Sequence, residues 1–591
     1  MKPVIDILEK RISATMAAVS GVSDCAAIVR PAANPKFGDY QVNGVMALAK
    51  KLKSNPRKLA ESIALKLDLN DICEQPEIAG PGFINLMLKQ SFIADSLIEI
   101  NSDCENRLGV SKIDRGETVV VDFSGPNIAK QMHVGHLRST IIGDCICRVL
   151  EFLGHKVIRQ NHIGDWGTQF GMLIANIEKR SLEILQGKGL GVSVMPSSLA
   201  EFELFYKEAK QLFDTDESFR VRSRAAIAGL HSGDKTWMGR WQKLVDQSAK
   251  HYREIYNTLN VTLKPEHEHG ESFYRDMLAD VVDDLQKAGL AEKSDGAICV
   301  FGLGFKNKEG HELPLLIQKS DGAFLYATTD LAAIQYRVDQ LKADRIIYVT
   351  DARQGLHFEM VFAAVKKADW VKGVDLQHVT FGSVLGEDGA PFKTRSGENV
   401  KLKELLGEAV SRAKQVVEEK NPDLSDNEKD QIATAVGIGA VKYADYSNNR
   451  TSDYIFSFDR MLAMEGNTAP YMQYAYARIK SIERKGDVDT KAELAGITEL
   501  NLTEPAELDL AKYLLRYGEV IESAASDYRP NYLTGYLYEL AQKFSGFYTN
   551  CPVLKAEPDK WLTRLLLCDL TAKTIRHGLE ELLGIKVVDE M

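Results

Sequence analysis

The stretch at 119–167 constrains the fold more than any other part of the chain. It opens with Val119-Val120-Val121 and Phe123, a run too short and too β-branched for a helix, which predicts a buried strand of a parallel sheet. Ser124, Gly125, Pro126 and Asn127 break that strand. Apolar residues then recur at Leu137, Ile141, Cys145, Val149 and Leu153, one stripe at helical spacing, until Gly154 stops the helix and Lys156-Val157-Ile158-Arg159 begins a second strand. The pattern is a βαβ unit with polar residues gathered at its helix entrance.

In a doubly wound sheet the ligand lies beyond the carboxyl ends of the strands, where a helix N-terminus offers free N–H groups. Asn127, Lys130, His133 and His136 fall there. His133 and His136 are three apart and can face one anion, while Gly135 lets a ligand approach the backbone. Two readings fit these residues. One is a nucleoside triphosphate site in which two imidazoles and an ammonium stabilise phosphate charge; the other is a capped helix whose histidines satisfy nearby carbonyls.

The run Pro126-Asn127-Ile128-Ala129-Lys130-Gln131-Met132-His133-Val134-Gly135-His136, followed by Leu137-Arg138-Ser139-Thr140, resembles the class I aminoacyl-tRNA synthetase signature in the form carried by arginyl-tRNA synthetases. The resemblance extends over essentially the whole chain. It implies an α/β fold, with a Rossmann-type parallel-sheet catalytic domain, a small α+β N-terminal domain and an all-α C-terminal bundle.

Composition agrees with that scale. A chain of 591 residues exceeds one core, and length suggests about three to five domains. With 45% apolar and 26% charged residues, and no apolar run as long as a membrane span, it reads as a soluble protein without a membrane partner. Asp6 and Glu9 stand where a targeting peptide avoids acids, so the expectation is a cytoplasmic protein. The net charge of −10 argues against a general nucleic-acid binder but leaves room for a tRNA enzyme with local basic surfaces. The eight cysteines form no C-x-x-C pair, Cys145 and Cys147 point to different helix faces, and His267 and His269 read as a solvated loop. Reduced thiols, no metal ligands and no structural zinc are expected.

Residues 1–90 open with the stripe Val4, Leu8, Ile12, Met16 and Val19. Phe37, Tyr40, Gln41 and Asn43, close to Lys50, Lys51 and Lys53, suit stacking on an unpaired base with phosphate contacts; the alternative is a domain that only props up its neighbours. The resemblance favours the first, a domain touching the tRNA elbow. A polar connector is expected at 91–115, followed by the nucleotide fold at 116–400. A helical insertion is expected at about 180–265, interrupting that fold and too short for a separate editing domain. Asn161 to Gln169 leaves the second strand, and its glycine-flanked Trp166 is placed to line a ligand pocket. The part from Ala297 to Gln318 alternates like β-hairpins, and its Gly302 and Gly304 lack the strand–helix context of a dinucleotide loop.

Further along, Asp330 enters a helix and on chemistry alone could be an N-cap. The resemblance gives Tyr326 and Asp330 the arginine side chain, with Asp122 as a second carboxylate and Asn127 and Gln354 as further substrate contacts. A buried guanidinium needs such carboxylates, since an unpaired buried charge is costly. A site built this way rejects other side chains without a hydrolytic sieve. The strand Arg345-Ile346-Ile347-Tyr348-Val349-Thr350-Asp351 brings Gln354 and His357 to the same crevice as His133. The loop Pro391-Phe392-Lys393-Thr394-Arg395-Ser396-Gly397 stands in the place of the second class I signature but lacks its paired lysines. Lys130 is the natural substitute on the pyrophosphate, with Lys393 and Arg395 assisting. A helical junction at 401–455, near the acceptor stem by resemblance, precedes an α-helical anticodon-binding domain at 456–591. Most of its tyrosines are expected in the core, with a few left to stack on bases.

The reaction so implied ligates L-arginine to tRNA(Arg) in two steps. Mg-ATP and arginine give arginyl-adenylate, and the arginyl group then passes to the terminal adenosine. His133, Gly135, His136, Asn127 and Lys393 would hold ATP. The family habit adds a monomer whose activation step requires bound tRNA. Two rivals keep part of this: a nucleotidyltransferase without tRNA, and a non-catalytic tRNA-binding paralogue. Neither accounts for Tyr326, Asp330 and Gln354 together.

Overall fold

Val119, Val120 and Val121 have no exposed surface and lie in strand β1 (Thr118–Asp122). The chain continues through helix α1 (Val134–Leu153) to the parallel neighbour β2 (Lys156–Gln160), with Val120 opposite Ile158. On the other side of β1 lies β3 (Arg345–Asp351), with Ile346 opposite Val120, and beyond it β4 (Asp375–Phe381). All pairs are parallel and the strand order is β4-β3-β1-β2. The chain leaves β1 in one direction and returns on its other side, so the topological switch point falls between β1 and β3, where such sheets hold their ligand.

The computed structural model of the chain describes residues 2–128, 130–186, 194–196, 199–392 and 400–591. These form two units, Asp114–Leu462 with Leu583–Ile585, and Met1–Ile113 with Ala463–Leu582 and Lys586–Met591.

In the sheet-bearing unit, helices Thr168–Leu185, Leu199–Thr215, Glu217–His231 and Lys235–Thr258 follow β2. The alternating segment forms an antiparallel sheet of Ala291–Ser294, Ala297–Val300 and Leu315–Gln318. Helix α2 (Tyr326–Asp339) enters β3, and α3 (Gly355–Lys367) leads to β4. Val120, Ile346, Leu331, Ile334, Val361 and Val281 share one core, so the parallel sheet, α2, α3 and the helix Leu278–Lys287 are packed as one body. Helices Leu402–Lys420 and α4 (Asp426–Tyr446) complete the unit. Buried Arg138 on α1 reaches Asp445 of α4 at 3.0 Å and donates to the carbonyls of Gly382 and Ser452. A buried guanidinium is tolerable only with such partners, and here they fix the orientation of α1.

The other unit carries an antiparallel sheet in the order Val29–Pro31, Tyr40–Val42, Phe83–Leu86, Glu77–Ala79. Helix Val4–Ser20 buries Val4, Leu8, Ile12 and Met16 as the stripe predicts. The polar connector expected at 91–115 is instead opened by helix Gln90–Ser102, which buries Ile93, Leu97 and Ile100. That apolar stripe is narrow enough to be masked by the Asp, Asn and Ser around it. Tyr40 is also a correction: it is only 2% exposed, its hydroxyl donates to Glu519, and it cannot stack on a base as it stands. It alternates inward with Val42, so strand periodicity overrides its aromatic appeal. Gln41 donates to Asn85 at 2.9 Å, Asn43 is half-buried, and Phe37 stays exposed. The C-terminal helices Ala469–Gly486, Pro505–Leu514, Tyr517–Asp527, Pro530–Asn550 and Pro558–Arg576 bury Tyr513, Tyr517 and Tyr536 in one stack, with Tyr548 left exposed. Among the described residues no helix is long and apolar enough to cross a membrane.

Candidate active site

β1 ends at Asp122, and Ser124 (φ 73°) and Gly125 (φ 49°) then turn the chain through the left-handed region. A non-glycine residue held there is costly and needs support. Ser124 has it: its N–H donates to Ser139 Oγ, and its hydroxyl bonds Thr140 and Tyr256 at 2.8 and 2.7 Å. Ser139 in turn donates to the carbonyl of Val349 at 2.6 Å, so α1 is tied to both β1 and β3.

His133 is the N-cap of α1. Its Nδ1 accepts the Gly135 N–H at 3.0 Å, while His136 Nδ1 accepts the His133 N–H at 3.1 Å. With each Nδ1 occupied as an acceptor, the neutral ring carries its proton on Nε2 and presents a donor. Burial depresses His136 to about 3; it also lowers His133, with the charges of Lys130 and Arg353 adding to the effect. Both are therefore neutral donors near pH 7 rather than cations. Gly135 is required by space: a Cβ there would lie 2.7 Å from His133 Cε1.

Both rings open on a cavity of about 470 Å³ at the switch point. Four carboxylates line it: Asp122, Glu271, Asp330 and Asp351. Asp122 accepts from fully buried Arg337 at 2.6 Å, Asp330 from His357 Nε2 at 2.6 Å, and Asp351 from Arg353 at 2.7 Å. Burial, reinforced by the charges of Asp165 and Asp330, pushes Glu271 up to about 8. Tyr326, 74% exposed, and exposed Gln354 complete the rim. The cavity thus brings neutral N–H donors and carboxylates together, a match for phosphates beside a cationic side chain.

Of the residues singled out in the sequence, Asp122, His133, Gly135, His136, Tyr326, Asp330 and Gln354 meet in this cavity. Asn127 and Lys130 instead line a neighbouring small cavity of about 20 Å³ with Met132 and Tyr252. The cause is a tertiary clamp: Ile128 donates to the Gly164 carbonyl and Gly164 to that of Pro126, holding the loop, and the Asn127 and Gln169 amides bond reciprocally. Lys393 and Arg395 lie outside the described residues. Trp166 does not line the cavity; it packs edge-on against Trp241, and His162 takes the lining position. Glu271 and His162 were not legible as site residues. Asp165 accepts from Ser272 N–H and Oγ, and a Cβ on Gly270 would lie 2.5 Å from its carboxylate, so a tertiary clamp sets Glu271 in place.

A parallel sheet with a histidine-capped helix at its switch point, followed by a helical C-terminal region, defines a class I aminoacyl-tRNA synthetase, and comparisons agree. Residues 101–458 match the model "tRNA synthetases class I (R), catalytic domain", 472–591 the "DALR anticodon binding domain" and 6–88 the "Arginyl tRNA synthetase N terminal domain". The arginine–tRNA ligase of Hahella chejuensis is 50% identical over 586 residues, covering 99% of each chain. The arginyl-tRNA synthetase structures from Plasmodium falciparum and Thermus thermophilus superpose with TM-scores of 0.85 and 0.81, at 34% and 25% identity, over 100% of each chain. The chain belongs to the arginyl-tRNA synthetases, the arginine–tRNA ligases.

Proposed function

We propose that this chain joins L-arginine to tRNA(Arg) with the residues of this cavity in defined roles. The carrying observation is the pairing of two neutral Nε2–H donors with a carboxylate-lined pocket. An arginine carboxylate oxygen attacks the α-phosphorus of Mg-ATP, the bond to the bridging oxygen breaks, and pyrophosphate leaves. Such a displacement needs positioning and charge stabilisation rather than a protein nucleophile. His133 and His136 donate to phosphate oxygens, with Gly135 keeping the backbone open. Lys130, Lys393 and Arg395 serve as cations for the departing pyrophosphate. Asp330 and Glu271 receive the guanidinium, with Tyr326 and Gln354 at the rim. Asp122, already bonded to Arg337, supports that wall, and Asn127 reaches substrate only by exchanging its Gln169 partner.

The arginyl group then passes to the terminal adenosine of tRNA, whose anticodon is received by the C-terminal helices. Phe37, Gln41 and Asn43 remain as the elbow contacts. The domain limits proposed are 1–90, 91–115, 116–400, 401–455 and 456–591. The enzyme works in the cytoplasm as a monomer, and its activation step waits for tRNA. ATP–pyrophosphate exchange with each of the twenty amino acids, with and without tRNA, tests this reading. Exchange with arginine alone, appearing only with tRNA, is expected; exchange without tRNA overturns the dependence, and none in either condition overturns the enzyme.

A further inference from the structure

The Asp330 carboxylate has a partner before any substrate arrives. His357, near the start of α3, places Nε2 2.6 Å from Asp330 Oδ2 on α2, and both side chains line the cavity. Toward a carboxylate, Nε2 must be the donor. The imidazole is held from behind by aromatic packing, 5.3 Å from the Phe358 ring, and Phe358 packs in turn on His378 of β4. The geometry is that of a side chain standing in for a cation.

We propose that His357 is a positioning residue for the arginine side chain: it holds Asp330 in the arginine-free enzyme and surrenders it, with a proton to solvent, when the guanidinium arrives. This rests on the reading that Asp330 receives the guanidinium. Protonated His357 and the guanidinium compete for one carboxylate, and a cation facing a cation in a half-buried pocket is unfavourable. Binding therefore selects the deprotonated imidazole. The one bond broken is an imidazolium N–H: its electron pair stays on the ring nitrogen and the proton passes to buffer.

The surrounding groups set the pH window. Asp330 raises His357 above its ordinary value through the hydrogen bond. His378 of β4 is pushed down to about 4 by burial and the nearby His357 charge, so it stays neutral. Arg353, four residues earlier, is engaged by Asp351. Glu271, which burial and the charges of Asp165 and Asp330 push up to about 8, also loses its proton when a guanidinium binds, while Asp122 is held by Arg337. Arginine binding near neutral pH thus releases protons from two groups, and the His357 share must be separated from that of Glu271.

Calorimetry of arginine binding to the full-length enzyme at pH 6.5, in buffers of different ionisation heat, counts the protons released. His357→Gln keeps a donor toward Asp330 but cannot titrate. The expected result is that H357Q releases fewer protons than the parent at that pH, and that its arginine Kd loses one proton's worth of pH slope, about tenfold per pH unit at the limit. An unchanged proton count with arginine still bound overturns the proposal. Should H357Q fail to fold, imidazole NMR titration of the parent decides instead: the His357 pKa falls on saturation with arginine, and an unmoved value overturns the proposal. Asp330→Asn separates the underlying reading, since undiminished arginine binding in D330N would remove Asp330 from the arginine site altogether.

Discussion

The two ends of the cavity are built in opposite ways. At the phosphate end, His133, Gly135 and His136 are positioned by hydrogen bonds between residues two and three apart, within one turn of α1. At the carboxylate end, Asp122, Glu271, Asp330 and His357 come from β1, a 3₁₀ segment, α2 and α3. The first end is uncharged at neutral pH because its rings are buried; the second holds its charges in pairs or, at Glu271, holds a proton. The lesson is that a local device can set donors with fixed tautomers, whereas a pocket for a cation needs carboxylates that no single segment can supply.

The largest expected effect tests the local end. His136→Ala removes a preorganised Nε2–H donor, and loss of one such donor typically costs about 10²–10³ in rate. Exchange at saturating arginine and ATP should fall by that range while arginine Kd by calorimetry stays within about twofold. A matching loss of arginine affinity would show that the two ends are not independent. Next, Glu271→Gln should raise the arginine KM by about 10²-fold, the scale of leaving a buried cation short of a partner, without moving the ATP KM. A shift in both constants breaks the division. Gly135→Ala, whose Cβ needs His133 to move, should lower exchange by about tenfold with arginine Kd unchanged.

These contrasts also mark what could be read from the chain. The βαβ unit, the stripe of α1 and the placing of His133, Gly135 and His136 were legible because each depends on spacing within a few residues. That most tyrosines of the C-terminal helices are core was expected too, but which of them stack is decided by contacts between helices, Tyr536 against Tyr513 and Tyr517. Tyr40 misled because its composition suggested a surface while its strand position buried it. Asn127 is diverted by Gln169, and Glu271 is set by the bond of neighbouring Ser272 to Asp165, contacts across 42 and 107 positions that leave no periodic trace. Residue type announced possible chemistry; long-range hydrogen bonds decided which groups share the cavity.

The pH response divides along the same line. With His136 at about 3 and His133 lowered below its ordinary value, the two imidazoles stay neutral between pH 7.5 and 8.5, so the ATP KM should be flat there. The arginine KM should fall as pH rises, because Glu271 must ionise to meet the guanidinium. The smallest effect concerns stability of the arginine-free enzyme. Unfolded, Glu271 ionises near its ordinary value; folded, it keeps its proton to about 8. The unfolded state therefore binds fewer protons between those values, and stability declines as pH rises through that window. Glu271→Gln removes this decline, so thermal melts should show E271Q above the parent by about 2–4 °C at pH 8 and by less at pH 5. An equal shift at both pH values would mean that Glu271 ionises freely in the folded protein, and the carboxylate end would then be as solvated as the surface around it.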